Sequence, residues 1–356
     1  MFQAPALPRT LAASLRDVGS KQPTVRESAV RDLVRHADDA REEVVRALER
    51  ALRDDVAPSV RSAAALGLAD VGGSEALPAL LVAMEDSDVH VRQMAITALG
   101  EIGDSRATER LRRALADQRA EVRFQAVIAF ARVCNDGASI TEALLARMRD
   151  ADPLVCHIAL RVAEEVAERN GGEIDPVVLD RAKELLSHGS PVVRIAAAIA
   201  LARAGSRLGS KVLVELARGS IKTDDVEDEA TAIELAGELG LEDARAGLEK
   251  RAFGGIFGRD RHAWHARVAL ARMGHERAVR EIMSELDSWD RSKRTLAVAA
   301  VGRARIRVAT LKLRAMLGDP SRADPHAVED ALAALGDADE PDHLDKPSST
   351  MGDLAS

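Results

Sequence analysis

Along most of the chain, apolar residues recur at intervals of three and four, the spacing of one helical face. Between Val91 and Ile102 the apolar set is Val91, Met94, Ala95, Ala98, Leu99 and Ile102, and Gly103-Asp104 then interrupts it. Glycine at that point is a common helix terminator. A second periodic segment runs from about Ser105 to Ala116 and ends at Asp117. The spacing predicts two antiparallel helices of about 10–13 residues joined by short turns.

The same pattern returns along the chain. PSVRSAAALGLADVGGSEALPALL, VHVRQMAITALGEIGDSRATERLR and AEVRFQAVIAFARVCNDGASITEALL each carry Val-Arg near the start, Ala four residues after the Val and an apolar residue eleven after it. Taking the Val as anchor gives Val25, Val60, Val91, Val122, Val155 and Val193, with degenerate copies at Asp228, His262, Lys293 and Asp324. Successive spacings are 35, 31, 31, 33, 38, 35, 34, 31 and 31 residues. A near-constant period of this length predicts a repeat protein. One helical hairpin cannot bury its apolar face alone, so stacking must supply the core.

An acidic residue followed by Val-Arg, the Arg six positions on, and then Ala-x-x-Ala-Leu-Gly resembles the HEAT-repeat superfamily. The closest likeness is to the short bacterial HEAT-like repeats first described in phycobilisome lyases. The carrying residues are Asp55 with Val60-Arg61, Asp86 with Val91-Arg92 and Asp117 with Val122-Arg123. The resemblance covers about residues 9–336 and implies an all-α fold, a right-handed α-solenoid of about ten stacked helical hairpins. Residues 1–8 are then an N-terminal extension, and 337–356 an acidic tail read as disordered from its Asp, Pro and Ser content. Copies five and seven to ten depart from the pattern, with Cys156, Glu229 and Ala263 where the Arg is expected. The fold implies little about function, because such repeats serve as scaffolds, adaptors and occasionally enzymes.

Stacking turns equivalent positions into rows. Arg61, Arg92, Arg123 and Arg194 are expected to bond the turn of an adjacent repeat. The row ten after the anchors, with Asp70, Glu101, Arg132, Glu165, Arg203, Glu238, Arg272 and Arg303, predicts charge pairing between neighbours. The row two after the anchors places Phe124, Ile195 and Trp264, backed by Ile128, Ile199 and Val268, where an apolar groove can form.

Composition and charge sharpen this picture. Aromatic residues make up 2% of the chain and Tyr is absent, which favours closely packed helices over sheets. The net charge of −8 is segregated. Residues 1–244 carry net −10, residues 245–315 carry net +10, and the last twenty carry net −5. Four of the seven aromatics, Phe253, Phe257, Trp264 and Trp289, lie in the basic block. The segment FGGIFGRDRHAW replaces what is elsewhere a short acidic turn, and aromatics with Arg on a loop are typical of binding hot spots. The expected partner-binding residues are therefore Phe253, Ile256, Phe257, Arg259, Arg261, Trp264, Phe124 and Ile195.

Catalytic chemistry is not indicated. Cys134 and Cys156 fall on apolar helical faces and read as buried thiols. His262 and His265 form H-x-x-H without further ligand types, and GGIFG follows a helix and lacks the Lys-Ser/Thr of a phosphate loop. Neither cofactor nor metal is expected. No apolar run approaches a membrane span, and MFQAPALPRTLAASLRD lacks the layout of a secretory signal. The expectation is a cytoplasmic, non-catalytic scaffold or adaptor for a protein partner of acidic or mixed-charge surface. The alternative is nucleic-acid binding by the basic block, as in HEAT-like DNA glycosylases; a lyase-like enzyme is a weaker third.

Overall fold

The computed structural model describes residues 9–254 and 260–336. The described residues form helices and turns, with no strand among them. They form two compact units, Met1–Ala204 and Gly205–Ser356.

In the first unit, α1 (Leu11–Asp17) packs on α2 (Pro23–Leu33), α3 (Ala37–Asp54) on α4 (Pro58–Gly72), and α5 (Leu77–Ala83) on α6 (Val89–Ile102). The series continues with α7 (Thr108–Ala114) on α8 (Ala120–Val133), α9 (Gly137–Arg147) on α10 (Pro153–Arg169), and α11 (Pro176–Leu185) on α12 (Pro191–Arg203). The second unit pairs α13 (Ser210–Ala217) with α14 (Val226–Glu238) and α15 (Arg245–Phe253) with α16 (Ala263–Arg272). It ends with α17 (Glu276–Glu285) on α18 (Arg291–Ala304) and α19 (Thr310–Arg314) on α20 (Pro325–Gly336). That makes ten hairpins among the described residues, an all-α solenoid. The pairing sets one correction: the anchored helix closes each hairpin rather than opening it, because α6 packs on α5 before it.

Local chemistry explains where the anchored helices begin. Proline is the first residue of α2, α4, α10, α12 and α20, where its missing N–H leaves no bond unmade. Asp88, Asp152, Asp225 and Asp290 cap α6, α10, α14 and α18 by accepting backbone N–H groups of the first turn.

The core of the first unit is a continuous row of small and branched side chains, among them Val60, Ala64, Leu68, Val91, Ala95, Leu99, Val122 and Ala126, all buried. Successive anchored helices approach closely. A Cβ at Gly100 of α6 would stand 2.9 Å from the Ala129 Cβ of α8. At Gly237 of α14 it would meet Ala269 Cα at 2.5 Å, and at Gly302 of α18 Ala331 Cα at 2.9 Å. Each contacted Ala lies seven residues after its anchor. His262 and Asp324 are thus true anchors in the packing, although α16 and α20 begin only after them, losing most of a turn.

Candidate interaction site at a break in the charge ladder

The first unit carries a regular ladder of arginines. Arg26, Arg61 and Arg123 each grip the Asp two residues before the next anchored helix's cap: Asp55 at 2.7 Å, Asp86 at 2.7 Å and Asp150 at 2.6 Å. Arg92 stands 3.5 Å from Asp117. Each guanidinium also donates backwards to the carbonyl six residues earlier, Ser20, Asp55, Asp86 and Asp117 respectively. Planar bidentate geometry suits Arg to this double duty. Burial pushes the carboxyls of Asp55, Asp86 and Asp150 up, but the guanidinium bonds outweigh it and hold all three below the usual range.

Where Cys156 replaces the Arg, its thiol donates to Asp150 O at 3.1 Å, and burial raises its pKa. Arg194 keeps the backward bond, to His188 O at 2.8 Å. Copy nine departs less than its Lys293 anchor suggests, since Arg294 also keeps the bond, to Ser288 O at 2.6 Å. The row ten after the anchors pairs differently from expectation. Arg203 contacts Glu164 and Glu168, and Arg303 contacts Glu234 at 2.7 Å, so the partners lie off that row, by one residue at Glu164 and by about one turn at Glu168 and Glu234.

The second unit reverses a rung. Glu229, at the Arg position of α14, is 7% exposed and gathers the cations. Arg251 Nη1 lies 2.9 Å away, Arg261 donates to the same carboxylate, and His262 Nε2 lies 3.1 Å away without the alignment of a hydrogen bond. Burial alone would raise the Glu229 pKa; Arg261 and Arg251 overcome it and lower it. Burial lowers that of His262, which is 2% exposed. Arg251 further ties α15 down through Leu216 O and Ala217 O at 3.0 Å.

One rung on, the ladder is absent. Ala263 stands at the Arg position, and Ser288 stands where other turns carry the gripping Asp; its hydroxyl accepts the Asp290 N–H at 3.3 Å. With the guanidinium and most of a helical turn gone, a cleft of about 340 Å³ opens. Arg261, Ala263, Trp264 and Arg267 form one wall with Asp260, whose carboxylate lies 3.3 Å from Arg251, and Lys293 and Leu296 of α18 form the other, with Glu285 at the end of α17. Trp264 is half-buried, and its indole N–H is buried without an acceptor among the described residues. Arg267 Nε lies 3.0 Å from Glu281 yet is not aligned to bond it.

The expected binding residues divide accordingly. Arg261 and Trp264 meet at the cleft. Phe253 is half-buried with Arg277 stacked 4.1 Å from its ring centroid and His275 at 5.5 Å, so its ring is engaged within the unit. Ile256, Phe257 and Arg259 lie outside the described residues. Phe124 and Ile128 are half-buried against the core. Ile195 is corrected: with Ile199 it is completely buried and lines no accessible groove, because its branched apolar side chain is withdrawn from water. His265 bonds Glu234 at 2.7 Å, so the two histidines face separate glutamates. Lys293, Leu296, Arg267 and Glu285 were not foreseen. A signal for them lies in Ala263 at the Arg position together with Ser288 at the Asp position, a coincidence that the repeat pattern alone does not single out. Trp289, 91% exposed, marks the same turn.

No match is found among curated proteins. The profile of HEAT repeats matches residues 45–131, the stretch that holds the Arg61, Arg92 and Arg123 rungs. Among solved structures the chain is similar to YibA of E. coli, with 19% identity over 74% of this chain and 93% of that one and a TM-score of 0.51. It also matches the CpcE–CpcF complex of phycocyanin lyase from Nostoc sp. PCC7120, with 18% identity over 80% and 97% and a TM-score of 0.36. At these identities the likeness is one of fold. Residues 45–131 are HEAT repeats, and the chain that carries them resembles the HEAT-repeat superfamily in both its sequence pattern and its architecture.

Proposed function

We propose that this chain is a non-catalytic scaffold that binds a protein partner through its second unit, with the Trp264 cleft as the recognition point. The cleft carries this reading: here the ladder gives up a rung and leaves an aromatic wall and cations at the surface, with an orphan N–H donor buried behind them. Repeat arrays offer extended contact area without active-site chemistry. Cys134 and Cys156 are buried thiols, which accords with a cytoplasmic setting. Among the described residues no helix is long and apolar enough to cross a membrane.

The nucleic-acid alternative draws on the +10 block, but much of that charge is matched internally. Arg245 pairs with Glu242, Arg251 and Arg261 with Glu229, Arg267 and Arg277 with Glu281, and Arg303 with Glu234. A phosphate backbone needs a run of uncommitted cations, which favours the protein partner.

Affinity capture from native lysate with the parent chain and with Ala263→Arg tests the reading. A stoichiometric protein lost from the variant, whose melting is unchanged or raised, supports it. Equal capture by both places the surface elsewhere, and co-purifying nucleic acid released by nuclease replaces it.

A further inference from the structure

Four properties of the cleft walls bear on what can enter. The Trp264 indole N–H is buried and has no acceptor among the described residues. Arg267 Nε is likewise without an aligned acceptor. Lys293 is exposed and has no ion-pair partner among the described residues, whereas the neighbouring arginines do. Leu296 is 55% exposed beside them, an apolar side chain one helical turn from Lys293. Unmet buried donors favour a ligand that brings acceptors, and an ammonium on the rim favours that acceptor charged. The space suits one or two side chains.

Resting on the scaffold reading above, we infer that the cleft receives an acidic segment of the protein partner. An Asp or Glu carboxylate pairs with Lys293 and, as the indole shifts to uncover its buried N–H, accepts from it as well, while an adjacent apolar side chain of the same segment lies on Leu296 and the indole face. The occupant is a short acidic–apolar pair rather than a polyanion. Glu285 has no ion-pair partner among the described residues and repels a continuous run of phosphates at the cleft's other end. The unit's net positive block steers such a segment inwards.

The chain's two tryptophans make the test direct. The full-length protein, labelled with ¹⁵N at the indole nitrogens, gives one resonance each for Trp264 and Trp289, assigned with Trp289→Phe. The probe is a blocked synthetic peptide, acetyl-Gly-Ser-Leu-Asp-Leu-Asp-Gly-Ser-amide. The Trp264 resonance is expected to move downfield on titration. The change to Asn in place of Asp, or Lys293→Glu in the protein, should weaken the response about tenfold or more. Lys293 is exposed, so its variant folds. Equal responses to the Asp and Asn peptides overturn the inference, as does a mixed-sequence oligonucleotide moving Trp264 where the peptide does not. A captured protein partner that shifts Trp264 when the acidic peptide fails overturns only the inference and leaves the scaffold reading standing. Capture indifferent to Ala263→Arg sinks the reading itself.

Discussion

The two units solve one stacking problem with opposite distributions of charge. In the first, Arg26, Arg61, Arg92 and Arg123 each reach forward to an aspartate and back to a carbonyl with little change, while Cys156 of α10 and Arg194 of α12 keep only the backward bond. In the second, the carboxylate is on the helix at Glu229 and the cations come to it, after which the next rung is missing. Regular rungs close the seam between hairpins. The reversed rung and the missing one leave a seam with a buried histidine and an open cleft.

The sharpest way to break the comparison is to remove one carboxylate from each unit. Asp150→Ala leaves Arg123 with no carboxylate partner and should cost about 3 kcal/mol, because a nearly buried charge loses its partner. Glu229→Ala removes the shared partner of Arg251, Arg261 and His262, leaving Arg251 only Asp260 at 3.3 Å and two carbonyls, and should cost about as much, with local loosening of α15 and α16. Denaturant melts with hydrogen exchange resolved by segment would read both. A Glu229→Ala chain as stable as the parent would show that the reversed rung contributes nothing.

Backbone approach offers a second comparison. Gly237→Ala places a Cβ 2.5 Å from Ala269 Cα, against 2.9 Å from Ala129 Cβ for Gly100→Ala. Overpacking of this kind costs roughly 1–3 kcal/mol, and the Gly237 change should be the larger because its backbone obstacles, Ala269 Cα at 2.5 Å and O at 2.6 Å, stand closer than the Ala129 Cα at 3.0 Å that Gly100 meets. Equal losses would refute the closer crossing of α14 and α16.

Acid separates the units by pH. The lowered carboxyls of Asp55, Asp86 and Asp150 contribute stability that is complete above the ordinary carboxylate value of 3.8 and fades only as the pH falls below it. His262 is held neutral by burial against an ordinary value of 6.5; Glu229 and Asp260 favour its charged form, and Arg261 and His265 oppose it. A depressed histidine contributes stability above 6.5 that is lost as the pH falls towards its folded value. Between about pH 6.5 and 4 the second unit should therefore loosen while the ladder of the first stays intact. Exchange rates corrected for intrinsic pH dependence, compared for α14–α16 and α4–α8, check this. His262→Gln should flatten the response.

Much of this was legible in the sequence. The anchors fixed the helices because Val60, Val91 and Val122 recur with helical spacing around them, and the Asp–Arg spacing foretold rungs. What escaped was three-dimensional. The hairpin pairing depends on which short turn brings helices together, which periodicity does not encode. Ile195 and Trp264 occupy the same row in the sequence but differ in burial, since a row position specifies direction along a helix and not what covers it. Lys293 and Leu296 line the cleft together with Ala263, and a missing side chain has no motif.

The smallest expected effect tests whether the missing rung is the cause of the cleft. Ala263→Arg alone introduces a guanidinium opposite Ser288, whose hydroxyl is a poor anchor for it, and should change stability little. Ser288→Asp alone adds a carboxylate beside Asp287, which Lys312 already holds at 2.6 Å, and should be neutral or slightly harmful. Together they recreate the geometry of Arg61 with Asp86. The double-mutant cycle should then show a favourable coupling of about 1 kcal/mol, the upper range for a partly exposed pair and within what such cycles resolve. The loss of most of a helical turn before Ala263 works against the full value found in the first unit. Coupling of this sign, accompanied by loss of the Trp264 response to peptide, would mean that one absent ion pair separates a structural seam from a binding site. Absence of coupling would mean that the shortened start of α16, rather than the missing arginine, opens the cleft.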